Sequence, residues 1–542
     1  LRGLVATLTG MILRKSARLL VLPFLAALAC AQTNTPSHLF FRVTLDPGMQ
    51  PASGRLLIFF EPGSGAQQVG MNQFRPSASS VAAKEVSDLQ PGSSVDVDVD
   101  DLVFPAPFSS LKPGTYQAHV VLDVQHTYVY DGPEAGDLES AVVPLTDWTP
   151  GSGSEPTFVL NHVIEARAPR PLPLKPEELA AAEKDTALVD FVSPALTAFS
   201  GRETHIRGWV VLPPGYAEHP REHYPTVYWT HGFGAKLETI RPSALMAASR
   251  MNAGKMPPMI WIFLDESLPT GTHEFADSVN NGPWGQALTA EFIPWIEAKY
   301  RMDAKVSGRF LNGHSSGGWA TLQLQVNYPT IFGGTWSTSP DPSDFHDFSA
   351  IDLYAPHANV YRRPDGTLWP IVRDHQQVIA TFEEFGHQEA VLGPYGGQVA
   401  SFEWVFSPRG ADGRPLPMFD RNTGDVHPEV VAYWHDHYDL AHIVEGNWAA
   451  RGRDLKGKIH LIVGTADTFY LDGAAHKFEA VLNHLGADPH FTYRDNRTHF
   501  DLYEENGDRM AMMDEIAEQM YAVARPAAHW SLPAGESPIL HP

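Results

Sequence analysis

The chain has 542 residues, more than one compact domain accommodates, and 43% of them are hydrophobic, an ordinary globular fraction. Its formal net charge of −24 argues against nucleic acid as a partner and against a polyanionic substrate held by bulk attraction. The one cysteine, Cys30, excludes an internal disulfide, a cysteine nucleophile and a thiolate metal site in the chain that follows it.

In chain order, the first element is a targeting segment. "MILRKSARLLVLPFLAALACAQ" begins at Met11, the expected start, with the basic residues Arg14, Lys15 and Arg18 ahead of an apolar run from Leu19 to Leu28. Ala29-Cys30-Ala31 supplies an A-x-A cleavage signal, so residues 1–31 read as a signal peptide and the protein as secreted or periplasmic. The apolar run is too short to span a membrane. Ala27, three residues before Cys30, suits a lipid-attachment signal poorly, so anchoring at Cys30 is the less favoured reading.

Residues 32–166 read as all-β. "HLFFRVTL", "GRLLIFFE", "SVDVDVDDLVF", "GTYQAHVVLDV" and "PTFVLNHVIEA" alternate or run apolar and are separated by turn clusters such as "DPG" and "KPG". Many short strands of this kind predict an immunoglobulin-like sandwich. Proline-rich "RAPRPLPLKPEEL" then marks a linker over 167–189. From 190 to 530 the pattern becomes α/β: "HIRGWVVLPPGY", "PTVYWTHGFG", "PPMIWIFLDES", "RFLNGHS" and "KIHLIVGTAD" are short apolar strands, and helical segments such as "QALTAEFIPWIEAKYR" and "GAAHKFEAVLNHL" separate several of them. A mostly parallel sheet covered on both faces is expected, with active residues at the carboxyl ends of its strands.

Gly313-His314-Ser315-Ser316-Gly317 matches G-x-S-x-G at a strand-to-helix turn. Small residues on either side let strand and helix pass closely while the serine Oγ projects outward, and the next N–H lies at a helix N-terminus facing a developing oxyanion. Such a serine needs a base, and the base needs a carboxylate. Asp467 ends the strand "KIHLIVGTAD", with Asp472 as its rival. His499 follows the last strand, whereas His490 would start that strand, at its wrong end. "YWTHGFGAK" supplies a glycine loop, His231-Gly232-Phe233-Gly234, after an early strand, whose backbone amides can approach a substrate oxygen closely as the second oxyanion donor. Asp341/Asp344/His346/Asp347 and His435/Asp436/His437/Asp439 have metal-ligand side chains but no metal-binding spacing, so neither a metal nor a cofactor is expected.

Together, "YPTVYWTHGFGA", "NGPWGQALTAEFIPWIE", "LNGHSSGGWATL", "GTADTFYLDGA" and the histidine of "RTHFDLY" resemble the esterase family that includes esterase D (S-formylglutathione hydrolase), enterochelin esterase and the acetylxylan and feruloyl esterases. The resemblance implies an α/β-hydrolase fold with Ser315 as nucleophile, Asp467 as acid, His499 as base, and Phe233 and Ser316 as oxyanion donors. It also implies that the N-terminal domain is an immunoglobulin-like module. The chain departs from the compact family pattern between Ser315 and Asp467, where a lid-like insertion is expected over about 341–448. Gly234, Trp284, Tyr395, Trp404 and Trp434 are candidate substrate contacts, the aromatic ones because they offer large apolar faces. The leading function is a serine carboxylic-ester hydrolase acting on a small-molecule or polysaccharide-linked ester. A serine peptidase of related fold and a non-catalytic glycan- or cell-wall-binding protein are the alternatives.

Overall fold

The computed structural model describes residues 38–542 apart from 73, 129–131, 167–170, 395–396, 529, 531–538 and 541–542. The targeting segment, Cys30 and the candidate contact Tyr395 lie outside the described residues. No helix among those described is long and apolar enough to cross a membrane.

Nine strands occupy the N-terminal region, from Phe40–Leu45 to Thr157–Val163. Hydrogen bonds link them into one mixed sheet, in which Phe40–Leu45 runs parallel to Thr157–Val163 and the other pairs are antiparallel. The strands of this region are thus joined edge to edge in one mixed sheet. Strand Ala52–Pro62 is central and buries both faces. Leu56, Ile58 and Phe60 enter an aromatic core with Phe41, Phe108 and Phe158, while Leu57 and Phe59 face the other way, onto Val391 and Leu392. Period-2 alternation puts successive side chains on opposite faces, and here both faces are apolar because both are covered.

Half of the expected linker is ordered structure. Pro176–Lys184 is a helix: Pro176 sits at its first position, and Glu178 accepts from the Lys175 N–H at 2.9 Å. Proline and acidic residues are what a helix start requires, so a linker-like composition here marks a helix entrance. Ala182 and Leu179 pack under the sheet that follows.

That sheet has eight strands: Thr186–Val192, His205–Val211, Thr226–Thr230, Ile260–Leu264, Arg309–His314, Gly334–Thr338, Ile459–Gly464 and His490–Arg494. Numbered in chain order within the sheet, they lie 1-2-4-3-5-6-7-8. The second strand alone runs against the rest. This order and this one reversal are those of the α/β-hydrolase fold, in which a strand-to-helix turn after strand five presents a nucleophile.

The segment 341–448 contains a hairpin, Pro370–Asp374 with Gln377–Thr381, and the helices Phe382–Leu392, Gln398–Phe406, Pro428–Tyr438 and Leu440–Leu455, the last of which runs past its end. It packs as core onto one face of the sheet. Trp434 is 0% exposed, donates to Ser407 Oγ at 3.0 Å and meets Phe406 and Phe345 at ring centroid distances of 5.3 and 5.7 Å. The same cluster includes Trp319 and Leu322 of the helix after the nucleophile turn, and Leu461 and Val463 of strand seven. Trp434→Ala is expected to lower the unfolding free energy by about 3–5 kcal/mol in urea melts, the cost of removing a fully packed large aromatic. A loss below about 1 kcal/mol would show the segment to be loosely attached rather than core.

Candidate active site

Ser315 stands between strand Arg309–His314 and helix Ser316–Asn327 with φ 61° and ψ −126°. A non-glycine residue at positive φ costs on the order of 1–3 kcal/mol, so the surroundings must hold it. The Ser315 N–H donates to Thr338 O at 3.0 Å, and its carbonyl accepts from Trp319 N at 3.0 Å and Asp341 N at 3.2 Å. Glycine is required where the chains cross. A Cβ on Gly313 would collide with the Gly317 carbonyl, and one on Gly317 would lie 2.5 Å from His231 O.

Ser315 opens into a cavity of about 440 Å3 that is also lined by His314, His499, Gly232, Phe233 and Gly234. His499 is 4% exposed, and its Nδ1 lies 2.9 Å from Asp467 Oδ2. Asp467 is fully buried at the turn after strand seven and accepts from Phe469 N at 3.0 Å. Burial alone would raise the Asp467 pKa, but the charge and hydrogen bond of His499, with the Phe469 N–H, bring it below the ordinary carboxylate value. The structure therefore brings Ser315, His499 and Asp467 to one site. Asp472 is turned elsewhere, onto Arg373 at 2.9 Å. His490 is the first residue of its strand, at the end away from His499.

The glycine loop lies beside Ser315, and a Cβ on Gly232 would sit 3.0 Å from Ser315 Cβ. His231 sets the loop's conformation. Its Nε2 accepts from Glu266 N at 2.9 Å, which leaves the proton on Nδ1 to donate to the Gly232 carbonyl at 2.8 Å. In a trans peptide the N–H points opposite to the C=O, so holding the Gly232 carbonyl fixes the direction of the Phe233 N–H. Ser316 begins its helix, where the first N–H groups have no intrahelical acceptor. Gly234, at φ 84°, takes a conformation that side chains resist and lines the cavity.

The other substrate-contact expectations are corrected. Trp284 is 4% exposed, donates to Asn281 O at 2.9 Å and stacks on His273 at 3.6 Å, within the core rather than the cavity. Trp434 is core, as described above. Trp404 lines a different cavity with Arg55 and Arg421. Large apolar faces serve core packing as readily as recognition, and in a segment that covers a sheet most of them pack inward. Among the described residues of 341–448, Gln398 alone lines the cavity at Ser315. The apolar walls come instead from Trp229, Phe469, Phe500, Met510 and Met513.

Four residues at the site were given no part in it from sequence. His314 stacks near His499 at 4.4 Å, and burial pushes its pKa down to about 3. Asp341, read from sequence as one of a ligand-like group, accepts from Ser316 Oγ at 2.6 Å, and burial pushes its pKa up to about 6. Phe469 meets the His499 ring edge-on at 5.0 Å. Arg373, from the hairpin, donates through Nε to the Asp467 carbonyl at 2.7 Å, and its guanidinium lies 4.3 Å from the Tyr470 ring. His314 and Asp341 had a signal available, since both lie within or just after strand ends neighbouring Ser315; Arg373 had none. Of the other ligand-like carboxylates, Asp344 and Asp439 lie with His346 in one group and Asp436 with His435 and His442 in another, and two of them also accept from backbone. Asp439 accepts from Phe345 N at 3.0 Å, His442 N at 3.1 Å and Tyr354 OH at 2.8 Å, and Asp344 accepts from His346 N at 2.9 Å.

The chain belongs to the esterase family: residues 200–511, more than half of its length, match the family described as "Putative esterase". Two Mycobacterium tuberculosis proteins, "Esterase MT1326" (strain CDC 1551 / Oshkosh) and "Esterase Rv1288" (strain ATCC 25618 / H37Rv), are each 31% identical over 164 residues, covering 28% of this chain and 34% of their own. The chain thus spans about a third of the length of these curated relatives. Among solved structures, a ferulic acid esterase has a TM-score of 0.38 at 14% identity, covering 63% of this chain and 97% of that one. An S-formylglutathione hydrolase from Agrobacterium tumefaciens has a TM-score of 0.35 at 14% identity, covering 63% and 94%.

The depressed His314 pKa carries a direct expectation. Its imidazole should stay neutral from about pH 5 to 9, because protonation would place a charge on a partly buried ring beside a second imidazole. Histidine-selective NMR should therefore show no His314 titration step in that range, and a step near the ordinary histidine pKa of about 6.5 would mean that water reaches the ring.

Proposed function

We propose that the protein is an exported serine carboxylic-ester hydrolase that works through an acyl-enzyme. The observation that carries this reading is Ser315, held at φ 61° on the turn after strand five, opening into the same cavity as a histidine whose Nδ1 is tied to a buried carboxylate 2.9 Å away. In this reading His499 accepts the Ser315 hydroxyl proton as Oγ attacks the ester carbonyl, then returns it to the departing alcohol. A water molecule, deprotonated by His499 in turn, attacks the acyl carbonyl. The carboxylic acid leaves and Ser315 regains its proton. Asp467 keeps the imidazole in the tautomer that leaves Nε2 free and stabilises the imidazolium. The Phe233 and Ser316 N–H groups receive the oxyanion.

The apolar walls Trp229, Phe469, Phe500, Met510 and Met513 support an acyl or alcohol group of mainly hydrocarbon character, free or linked to a polysaccharide. Export rests on the sequence of residues 11–31. The all-β composition of the N-terminal region supports an accessory module of the immunoglobulin-like kind.

Wild-type protein is expected to gain the mass of a fluorophosphonate adduct at Ser315 and to hydrolyse p-nitrophenyl acetate. Ser315→Ala should take no adduct and lose about four to six orders of magnitude in kcat while keeping its melting temperature. Turnover within tenfold of wild type by a folded Ser315→Ala protein would exclude the mechanism.

The acid is tested separately. Asp467→Asn is expected to lose about three to four orders of magnitude in kcat, because an amide at that position favours the wrong imidazole tautomer. Asp472→Asn, which disturbs only the Arg373 pair, should lose far less. The reverse ranking, read from the same kinetic assay, would reassign the acid.

A further inference from the structure

Two loops of the N-terminal β region touch residues at or beside the Ser315 cavity. Phe500, next to His499, lines that cavity and is 64% exposed, an unusual state for a phenylalanine beside a buried imidazole. Its ring meets His499 at 5.3 Å, Phe469 at 6.0 Å and, from the β region, Phe74 at 5.5 Å and 83°, an edge-to-face pair. Beside the oxyanion loop, Lys236 is ion-paired with Glu134, also of the β region. The two β-region loops support each other: Gly70, Asn72, Tyr128 and Pro133 line one shared cavity, and Tyr128 stacks on Phe59 of the central strand at 5.3 Å.

This contact has a fixed position. Arg55 is 5% exposed and donates to Val391 O at 2.7 and 2.9 Å, at the end of the helix Phe382–Leu392. Leu57 and Phe59 pack on Val391 and Leu392 beside it. Positive charge at a helix C-terminus is favourable, and a buried guanidinium with its acceptors in place resists displacement. The β region is thereby docked through a charged and apolar joint, with Phe74 and Glu134 at its far edge touching one residue beside the base and one beside the oxyanion loop.

We propose that the N-terminal β region forms the outer wall of the substrate cleft and selects esters by the bulk of the apolar group that projects past Phe500, with Phe74 as the specificity-determining residue. This deepens the serine-esterase reading and rests on it. Phe74 confines the Phe500 ring to one orientation. Without it, Phe500 turns freely over the cavity mouth, where a small acetyl group passes beneath it and a large acyl or aryl group does not. The Glu134–Lys236 pair holds the facing loop at its spacing from the same opening.

The test measures kcat and KM for p-nitrophenyl acetate, p-nitrophenyl octanoate (bulk in the acyl part) and 2-naphthyl acetate (bulk in the alcohol) with wild type, Phe74→Ala, Phe74→Tyr, Glu134→Gln and Val159→Ala. Val159 is exposed on the same β region, on strand Thr157–Val163, and serves as the control. Phe74→Ala should change kcat/KM for at least one bulky ester fivefold or more relative to acetate, chiefly through KM. Phe74→Tyr, which keeps the ring edge, should stay within twofold of wild type, as should Val159→Ala. Glu134→Gln changes charge without volume, and should shift the same ratio in the same direction even if Phe74→Ala does not fold. Parallel changes on all three esters, or none in either variant, would overturn the proposal and leave the β region as scaffold. A fluorophosphonate adduct at Ser315 is measured first on wild type. Its presence with unaltered ratios rejects the wall alone, and its absence rejects the esterase reading and the wall with it.

Discussion

The site depends on one backbone constraint: Ser315 must hold a positive φ where strand five becomes a helix. Nothing in the serine favours that conformation, and its neighbours enforce it from three directions. Thr338 O accepts its N–H from strand six, Trp319 and Asp341 donate to its carbonyl, and three strands' worth of backbone crowd the crossing so closely that Gly313 and Gly317 have no alternative residue. Because strands three, five and six all contribute, Ser315 is in place only when the sheet is complete. The strain is a property of the whole sheet, expressed at one residue.

What the sequence reveals follows from the same constraint. The glycines around Ser315, the glycine loop at 232–234 and the strand-end positions of Asp467 and His499 are dictated by backbone geometry, and geometry of that kind leaves a local mark. Strand six left none. "GTWST" has neither an apolar run nor a clean alternation, yet its five residues are buried, with Thr335, Ser337 and Thr338 fully so. Two of the hydroxyls bond to nearby carbonyls, Ser337 to Gly318 O at 2.8 Å and Thr338 to Gly313 O at 2.7 Å, so their polarity is satisfied inside the sheet and the strand looks like a turn from outside. The aromatic residues of 341–448 misled for a related reason. Composition records that large apolar rings are present, and only packing decides whether they face a ligand or a sheet. For Trp284 and Trp434 the core prevailed, while Phe469 and Phe500, in the turns that carry Asp467 and His499, became the walls.

The insertion also supports the turn that carries Asp467. Its hairpin sends Arg373 to the turn that carries Asp467, where the guanidinium bonds the Asp467 carbonyl, pairs with Asp472 and lies over Tyr470, itself at φ 61°. One residue thus fixes the backbone whose side chain orients His499. Such support lies far from Asp467 in sequence and carries no motif, because a guanidinium that reads carbonyl oxygens places no demand on the residues supplying them. Sequence patterns report chemistry that needs particular side chains and are silent where the backbone is the partner.

The central strand Ala52–Pro62 also bears on how such a chain can be assembled from modules. Because it is apolar on both sides and carries Arg55 into the end of a helix some 330 residues away in the chain, its two neighbours are no longer interchangeable parts. A recombination event that exchanged the front region for another would expose Val391 and Leu392 and strip the Ala390 and Val391 carbonyls of a cation. The graft would have to bring a matching arginine and a matching apolar strip to be tolerated. Inheritance of the two regions is therefore tied, and descendants of this chain are expected to lose or keep them together.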